Sequence, residues 1–138
     1  MACIFCSIID GDATRSLVLD MPRVMAFMDI GPINTGHVLV VPKVHAPRLG
    51  DLEPETGAEL FTVAQRVAAA LYASALRSEG VNVLLSDGEV AGQEVMHVHL
   101  HVVPRFQGDG FVIRNDFRRA SRQDLDASAA VIRAAWDA

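Results

Sequence analysis

Cysteine and aromatic residues are scarce in this chain of 138 residues, which has two cysteines and only 6% aromatic residues. Cys3 and Cys6 are too close in sequence for a disulfide that would stabilise the fold by closing a long loop. An excess of basic residues is also lacking, since the formal net charge is −5. This charge argues against nucleic acid or an anionic membrane surface as the main partner.

Long apolar runs are absent as well. No stretch approaches the roughly 20 apolar residues that a membrane-spanning helix needs. The N-terminal "MACIFCSIID" lacks the basic and apolar regions of a signal peptide. We therefore expect a cytoplasmic protein without a membrane partner. Hydrophobic residues make up 51% of the chain, and its length suits one core, so we expect one globular domain over residues 1–138.

Short β-rich runs and one long helical segment follow each other along the chain. The long helix is predicted to begin at Pro54, which suits a first helical turn, and apolar residues then recur at three-to-four spacing as far as Ala75. Gly80 is its predicted stop, and a C-terminal helix is predicted from about Ser121 to Trp136. The predicted strands are "SLVL" (16–19), "VMAFM" (24–28), "HVLVV" (37–41), "VNVLL" (81–85) and "HVHLHVV" (97–103). This order predicts an α+β domain with an antiparallel sheet.

Three of the five histidines stand in the last predicted strand, at His97, His99 and His101. Because side chains alternate across a strand, the three imidazoles should share one face, with the outer two about 13 Å apart. One tetrahedral zinc cannot easily gather all three, although two could share a metal. A row of imidazoles suits phosphate chemistry, because neutral histidine predominates near pH 7 and is a nucleophile toward phosphorus. Three structural histidines in a half-exposed strand are the alternative.

The histidine segment resembles a known family. "AGQEVMHVHLHVV" (91–103) is similar to the His-φ-His-φ-His-φ-φ signature of histidine triad (HIT) proteins, where φ is apolar. "CIFCSIIDGD" and "VMAFMDIGPINTGHVLVVPKVH" resemble the Hint-like bacterial members. The resemblance covers residues 3–105, which would form the core of a single HIT domain, with 106–138 as a C-terminal extension. It implies a HIT-like fold, with about five antiparallel strands, one long helix and short terminal helices, and a nucleotide-binding homodimer.

The resemblance also implies roles for individual residues. His99 would be the nucleophile that forms a nucleotidyl-histidine, His101 would contact the phosphate and the leaving-group side, and His97 would support them. A further histidine of the family site matches His37, and the carboxylate of Asp29 would accept hydrogen bonds from the ribose hydroxyls. An apolar base pocket would be lined by four residues, each of which has ordinary core packing as its alternative: Phe5, Ile8, Phe27 and Ile30.

Three further positions are assigned to the nucleotide site. Gln93 belongs to the Gly-Gln pair that precedes the triad. Relatives often carry Asn or Gln where this chain has Ser86, and Ser or Thr where it has Glu94, beside the phosphate. A glutamate there repels an anionic substrate unless the side chain turns away. The departures leave the triad intact and leave the substrate preference open.

Cys3-x-x-Cys6 has the spacing of half a zinc site. A redox pair or two buried cysteines would also fit, but no thioredoxin-like βαβ unit surrounds the pair. The resemblance to zinc-binding bacterial HIT proteins implies a structural zinc held by four residues: Cys3, Cys6, His45 and His97. A zinc there would occupy His97 and leave His99 and His101 for the chemistry.

The resemblance implies an enzyme that attacks the α-phosphate of purine nucleotide conjugates, as a hydrolase or nucleotidyl transferase. "CxxC" and "FMDI" favour nucleoside phosphoramidates as substrates, whereas "HVHLHVVPR" with "IRND" (113–116) resembles the branch that cleaves dinucleoside polyphosphates. A zinc-stabilised nucleotide-binding or partner-binding protein without turnover is a different class. A metalloenzyme with its metal on His97 and His99 is a third.

Overall fold

The computed structural model describes residues 2–114 and 117–136. Within these residues the chain forms a five-stranded antiparallel sheet and three α-helices, so the fold class predicted from the sequence is confirmed. No helix of the described part is long and apolar enough to cross a membrane. The elements, in chain order, are α1 (Ile4–Asp10), β1 (Leu17–Asp20), β2 (Val24–Met28), β3 (Val38–Pro42), α2 (Pro54–Ala73), β4 (Gly80–Leu85), β5 (Leu100–Arg105) and α3 (Arg122–Trp136).

The strand order β1-β2-β3-β5-β4 places β5 inside the sheet, between β3 and β4. His101 therefore lies opposite Leu39 on one side and Leu84 on the other. A strand held on both sides is a rigid base for a functional side chain, because its backbone hydrogen bonds are made within the sheet. The end of β5 that carries His101 is thus fixed by two neighbouring strands.

The two faces of the sheet are covered differently. The long helix α2 packs on one face through an apolar stripe at three-to-four spacing, which comprises Leu60, Val63, Val67 and Leu71. The short helix α1 covers the other face, where Phe5 and Ile8 pack against Phe27 and Leu39. Helix α1 ends at Asp10 and is capped by Gly11, whose φ of 86° is left-handed and whose N–H donates to the Ile8 carbonyl. This second face carries the triad.

Two predicted boundaries are wrong. Strand β5 begins at Leu100 instead of His97, because Val98 N–H donates to the Ala46 carbonyl at 2.8 Å and this segment joins no ladder. The strand also continues through Pro104, which we expected to end it. The β3 ladder stops at Val102, so the missing N–H of Pro104 leaves no broken bond.

The predicted end of the long helix also differs. The helix ends at Ala73, since Ser74 turns to an extended conformation (ψ 169°). The hydroxyl of Ser74 donates to the Leu71 carbonyl and accepts from Leu76 N–H, a local alternative to further helical bonds. Gly80, the expected stop, is the first residue of β4.

Candidate active site

A cavity of about 560 Å³ opens on the sheet face that carries α1. Its apolar wall includes the buried side chains of Phe5, Ile8 and Phe27. The predicted site residues that line the cavity are Phe5, Ile8, Phe27, Asp29, Ile30, Glu94, His99 and His101. Ile30 is fully exposed and contributes at the rim. The cavity therefore joins an apolar chamber to two imidazoles and two carboxylates.

The ring of His99 has a defined tautomer. Its Nδ1 lies 2.8 Å from the carbonyl oxygen of His97, and because a carbonyl only accepts, Nδ1 carries the proton. In the neutral ring the lone pair then lies on Nε2. The ring is 7% exposed, and Phe5 packs edge-on against it with 5.1 Å between the ring centroids. His99 thus brings an unprotonated nitrogen to the cavity in a fixed orientation.

His37 and His101 form a second defined pair. Ile33 N–H donates to His37 Nδ1 at 3.1 Å, so the proton of a neutral His37 lies on Nε2. That Nε2 lies 2.9 Å from Nδ1 of His101, which must accept, so His101 carries its own proton on Nε2. One backbone amide therefore sets both tautomers. His101 becomes a hydrogen-bond donor on a ring that lines the cavity.

Both of these histidines are neutral near pH 7. Burial lowers the pKa of His37, against the opposing attraction of Asp29. Burial, and then the neighbouring His99 and His37, lower the pKa of His101 to about 4. Because His101 is neutral, it can donate a hydrogen bond without placing a positive charge beside the lone pair of His99.

Asp29 stands beside this pair at the end of β2. Its Oδ1 accepts from Gly31 N–H at 2.8 Å, and its Oδ2 lies 3.5 Å from His37 Nε2. The side chain is 19% exposed and lines the cavity. The carboxylate therefore has lone pairs left for a ligand that offers hydroxyl groups.

Four potential metal ligands lie together beside the cavity residues. Each offers one ligand atom, and these atoms lie within 4.8 Å of one another: Cys3, Cys6, His45 and His97. The Nδ1 atom of His97 lies 3.4 Å from Cys3 Sγ, 3.6 Å from Cys6 Sγ and 3.2 Å from His45 Nδ1. Cys6 Sγ lies 3.5 Å from His45 Nδ1. A tetrahedral zinc with bonds of about 2.3 Å to sulfur and about 2.1 Å to nitrogen needs sulfur–nitrogen separations of about 3.6 Å and a nitrogen–nitrogen separation of about 3.4 Å. The four atoms fit that ion.

The protonation of His97 agrees with this set. Its Nε2 donates to the Pro42 carbonyl at 2.8 Å, so the lone pair lies on Nδ1 and faces the thiols. In metal sites, a hydrogen bond of this kind from the ring nitrogen that does not bind the metal fixes the ring orientation and the tautomer. His97 is fully buried. It therefore belongs to the metal cluster, and within the described residues it does not line the cavity.

A second group, Asp29, His37 and His101, also has its ligand atoms within 4.8 Å of one another. It does not fit a metal, because the Ile33 amide keeps the proton of His37 on Nε2, the atom that would have to coordinate. A metal shared by His97 and His99 does not fit either. His97 turns its lone pair to the cysteines, and the Nδ1 of His99 is used by a carbonyl. The metalloenzyme alternative therefore finds no support in this geometry.

The geometry and known proteins agree on the family. The sequence model of the HIT domain family matches residues 10–108 of this chain. The chain belongs to the histidine triad (HIT) family. An adenosine 5′-monophosphoramidase of Schizosaccharomyces pombe is 37% identical over 105 residues, which are 76% of this chain and 75% of that protein.

Two solved HIT structures are similar over almost the whole chain. A zinc-bound histidine triad family protein from Mycobacterium smegmatis is 40% identical, with a TM-score of 0.78 and 98% of each chain covered. A histidine triad nucleotide-binding protein from Candida albicans is 27% identical, with a TM-score of 0.86, and covers 96% of this chain and 95% of that one. The family predicted from the triad is thus confirmed.

Two residues predicted to contact the nucleotide lie away from the cavity within the described part of the chain. Gln93 is 4% exposed, and its amide accepts from Gly88 N–H and donates to the carbonyls of Pro47 and Val95. It braces the loop before the triad and has no free donor for a phosphate. Ser86 is half-buried and, like Gln93, does not line the cavity within the described residues.

Sequence reasoning missed a polar segment of the cavity. Thr14, Arg15 and Ser16 line it just before β1, and Arg15 donates to the Ile8 carbonyl. No motif marks these residues, because their position depends on how α1 folds back over the sheet. The "IRND" segment cannot be compared in full, since Asn115 and Asp116 lie outside the described residues.

Proposed function

We propose that this HIT protein is a hydrolase and nucleotidyl transferase that acts on the α-phosphate of purine nucleotide conjugates, of the nucleoside phosphoramidate type. The observation that carries the proposal is the hydrogen bond from His99 Nδ1 to the His97 carbonyl. It leaves Nε2 with a lone pair in the cavity, as a nucleophile requires. The phosphoramidase activity of the Schizosaccharomyces pombe relative supports the same reaction.

The reaction has two displacements at phosphorus. The Nε2 lone pair of His99 forms a bond to the α-phosphorus, and the bond to the leaving nitrogen breaks with its electron pair on that nitrogen, which takes a proton from water. Water then attacks the nucleotidyl-histidine, the P–N bond breaks, and the electron pair returns to Nε2 while the surplus proton goes to solvent. Another acceptor in place of water gives nucleotidyl transfer. His101 Nε2–H stabilises the negative charge that develops on the leaving side.

The rest of the cavity suits a nucleoside. Phe5, Ile8 and Phe27 offer an apolar wall for the base, with Ile30 at the rim, and Asp29 offers acceptors for the ribose diol. An apolar wall that offers the base no fixed hydrogen-bond donor discriminates weakly between purines. A volume of about 560 Å³ is in the range of small-molecule sites.

Glu94 favours phosphoramidates over dinucleoside polyphosphates. Its exposed side chain lines the cavity, and its negative charge repels a polyphosphate chain more strongly than a single phosphoryl group. The proposal therefore places a substrate with one charged phosphoryl group at this end of the cavity.

Zinc and self-association complete the proposal. Zinc on Cys3, Cys6, His45 and His97 would be structural, joining the start of α1 to the segment before β5. A homodimer is proposed because α3 leaves an apolar stripe exposed at Leu125, Ile132 and Trp136. We also propose that 3–105 is the core of a single HIT domain and 106–138 its extension, and that the protein is cytoplasmic.

Chromatography of AMP release tests the reaction. Wild-type protein and His99→Ala are incubated with adenosine 5′-phosphoramidate and with a diadenosine polyphosphate. We expect faster release from the phosphoramidate, and a loss of at least about 1,000-fold in the variant because the covalent route disappears. A wild type that is inert on both substrates would contradict the enzyme and leave a binding protein.

A further inference from the structure

A nearly buried carboxylate lies just beyond β5, outside the cavity. The side chain of Asp109 is 7% exposed. Its Oδ2 accepts from Arg105 Nε at 2.7 Å, Asn34 Nδ2 at 2.8 Å and Phe106 N–H at 3.1 Å, and its Oδ1 accepts from Arg105 at 2.9 Å and Phe111 N–H at 3.1 Å. The hydrogen bonds from Arg105, and then those from the backbone, hold the pKa of Asp109 well below its ordinary value. Asp109 is therefore a permanently charged hub.

The contact with Asn34 connects this hub to the loop before β3. Besides the bond to Asp109, Asn34 Nδ2 donates to the Pro104 carbonyl at 2.9 Å. Both amide protons of Asn34 are thus used to fasten the loop to the end of β5. The same loop surrounds His37, since the Asn34 carbonyl accepts from His37 N–H at 3.1 Å and Ile33 N–H donates to His37 Nδ1 at 3.1 Å.

The position of this loop determines which ring nitrogen carries the proton in His37 and in His101. If the Ile33 amide moves away, no described hydrogen bond keeps His37 Nδ1 unprotonated, and only the longer 3.5 Å approach of Asp29 Oδ2 to Nε2 still favours the proton there. His37 could then place its proton on either nitrogen, and the 2.9 Å bond to His101 Nδ1 would no longer fix the proton of His101 on Nε2. Asp109 is therefore connected to the cavity by a series of hydrogen bonds: from Asn34 to Asp109, from Ile33 to His37, and from His37 to His101.

We propose that Asp109 is a positioning residue of the site, which through Asn34 holds the Ile33 amide on His37 and so keeps His101 as an Nε2–H donor. The proposal deepens the proposed function and rests on it for the role of His101. It extends the site to a carboxylate that, among the residues the structure describes, contacts neither the cavity nor the triad.

The link through Asn34 is separable from the turn that follows β5. That turn has contacts that do not involve Asn34, because Arg105 also donates to Asn82 Oδ1 at 2.6 Å and lies over the Phe111 ring, 4.8 Å from its centroid. Asn34→Ala therefore removes both of the loop's bonds, to Asp109 and to the Pro104 carbonyl, while it leaves the Arg105–Asp109 pair in place. Asp109→Asn keeps the shape of the side chain but replaces one acceptor oxygen with an NH2 group, which would face the hydrogen-bond donors around it.

The test reads the tautomers and the kinetics of the same proteins. Long-range ¹H–¹⁵N spectra of the imidazoles should show a single Nε2–H tautomer for His37 and His101 in the wild type, and mixed tautomers in Asn34→Ala and Asp109→Asn. With adenosine 5′-phosphoramidate, kcat should fall about tenfold while KM changes less than about twofold, because the donor is misplaced and the nucleoside contacts remain. Asp126→Asn is the matched control, since Asp126 is 70% exposed in a weak pair with Arg122, and it should behave as wild type in both readouts.

Each outcome decides the proposal. Wild-type tautomers in both variants contradict it, and this includes variants whose kcat falls together with their melting temperature, since that indicates a structural role alone. A tautomer change without loss of kcat contradicts it as well. If the wild type turns over no nucleotide conjugate, the proposed function fails, and the spectra alone still decide whether Asp109 sets the tautomers. If Asp109→Asn does not fold, Asp109→Glu, which keeps the charge and displaces the acceptor oxygens, takes its place in both readouts.

Discussion

His97 and His99 are joined by one hydrogen bond that separates their roles: Nδ1 of His99 donates to the backbone carbonyl of His97 at 2.8 Å. The side chain of His97 points to Cys3 and Cys6, whereas the ring of His99 lines the cavity. The first histidine of the triad thus serves the metal cluster with its side chain and the nucleophile with its backbone. Its neighbour two residues on is left with a free Nε2.

The zinc cluster predicts a coupled loss of metal and stability. Cys6→Ser removes one of four ligand atoms, so zinc measured by mass spectrometry should fall from about one ion per chain to well below one. We expect the melting temperature to fall by about 5–10 °C, which corresponds to about 2 kcal/mol for a domain of this size. Ser7→Ala is the control, because Ser7 lies next to Cys6 in α1 and contributes no ligand. Equal zinc contents in all three proteins would refute the site.

Asp29 predicts a preference for ribonucleotides. Its free carboxylate lone pairs should bind the ribose diol, so the wild type should lose about 10-fold to 100-fold in kcat/KM when the substrate lacks its 2′-hydroxyl, the range for a hydrogen bond to a charged group. In Asp29→Asn the same pair of substrates should differ by less than about threefold. Since Asp29 also lies 3.5 Å from His37, the ratio between the substrates is the informative quantity. Equal ratios in the two proteins would show that Asp29 does not contact the sugar.

Glu94 predicts a change in substrate preference. Glu94→Ser removes a negative charge from the cavity lining, so KM for a diadenosine polyphosphate should fall about fivefold, consistent with roughly 1 kcal/mol of relieved repulsion. KM for adenosine 5′-phosphoramidate should change less. Glu89→Ser, an exposed acid that the lining does not include, is the control. Identical changes for both substrates would mean that Glu94 turns away from the phosphate.

His101 predicts part of the acid sensitivity of the fold. Its pKa is lowered from the ordinary 6.5 to about 4 by burial, so the unfolded chain takes up a proton at higher pH than the folded one. The free energy of unfolding should therefore fall as the pH drops from 6.5 towards about 4, and the contribution is fully present above 6.5. In His101→Asn the decline over this window should be shallower, as measured by urea unfolding at several pH values. Parallel curves for the two proteins would contradict the buried neutral state.

The secondary structure and the triad followed from local patterns, whereas the protonation pattern did not. Alternation and three-to-four spacing are properties of neighbouring residues, so the strands and α2 were predicted within a few residues. The tautomer of His97 depends on the Pro42 carbonyl, which is 55 residues away in sequence. The buried position of Gln93 could not be predicted from the sequence, because its partners, such as Pro47, are brought near only by the fold. Asp109 carries no motif, and its connection to Asn34 spans 75 residues.

The central claim is that Nε2 of His99 becomes bonded to the α-phosphorus, and trapping that intermediate tests it most directly. Wild-type protein is mixed with adenosine 5′-phosphoramidate, quenched under alkaline conditions that preserve P–N bonds, digested, and mapped by mass spectrometry. We predict one adenylyl group on the peptide that contains His99, and fragmentation that places it on His99 and not on His97 or His101. An adenylyl group on another residue, or undiminished AMP release by His99→Ala, would contradict the claim.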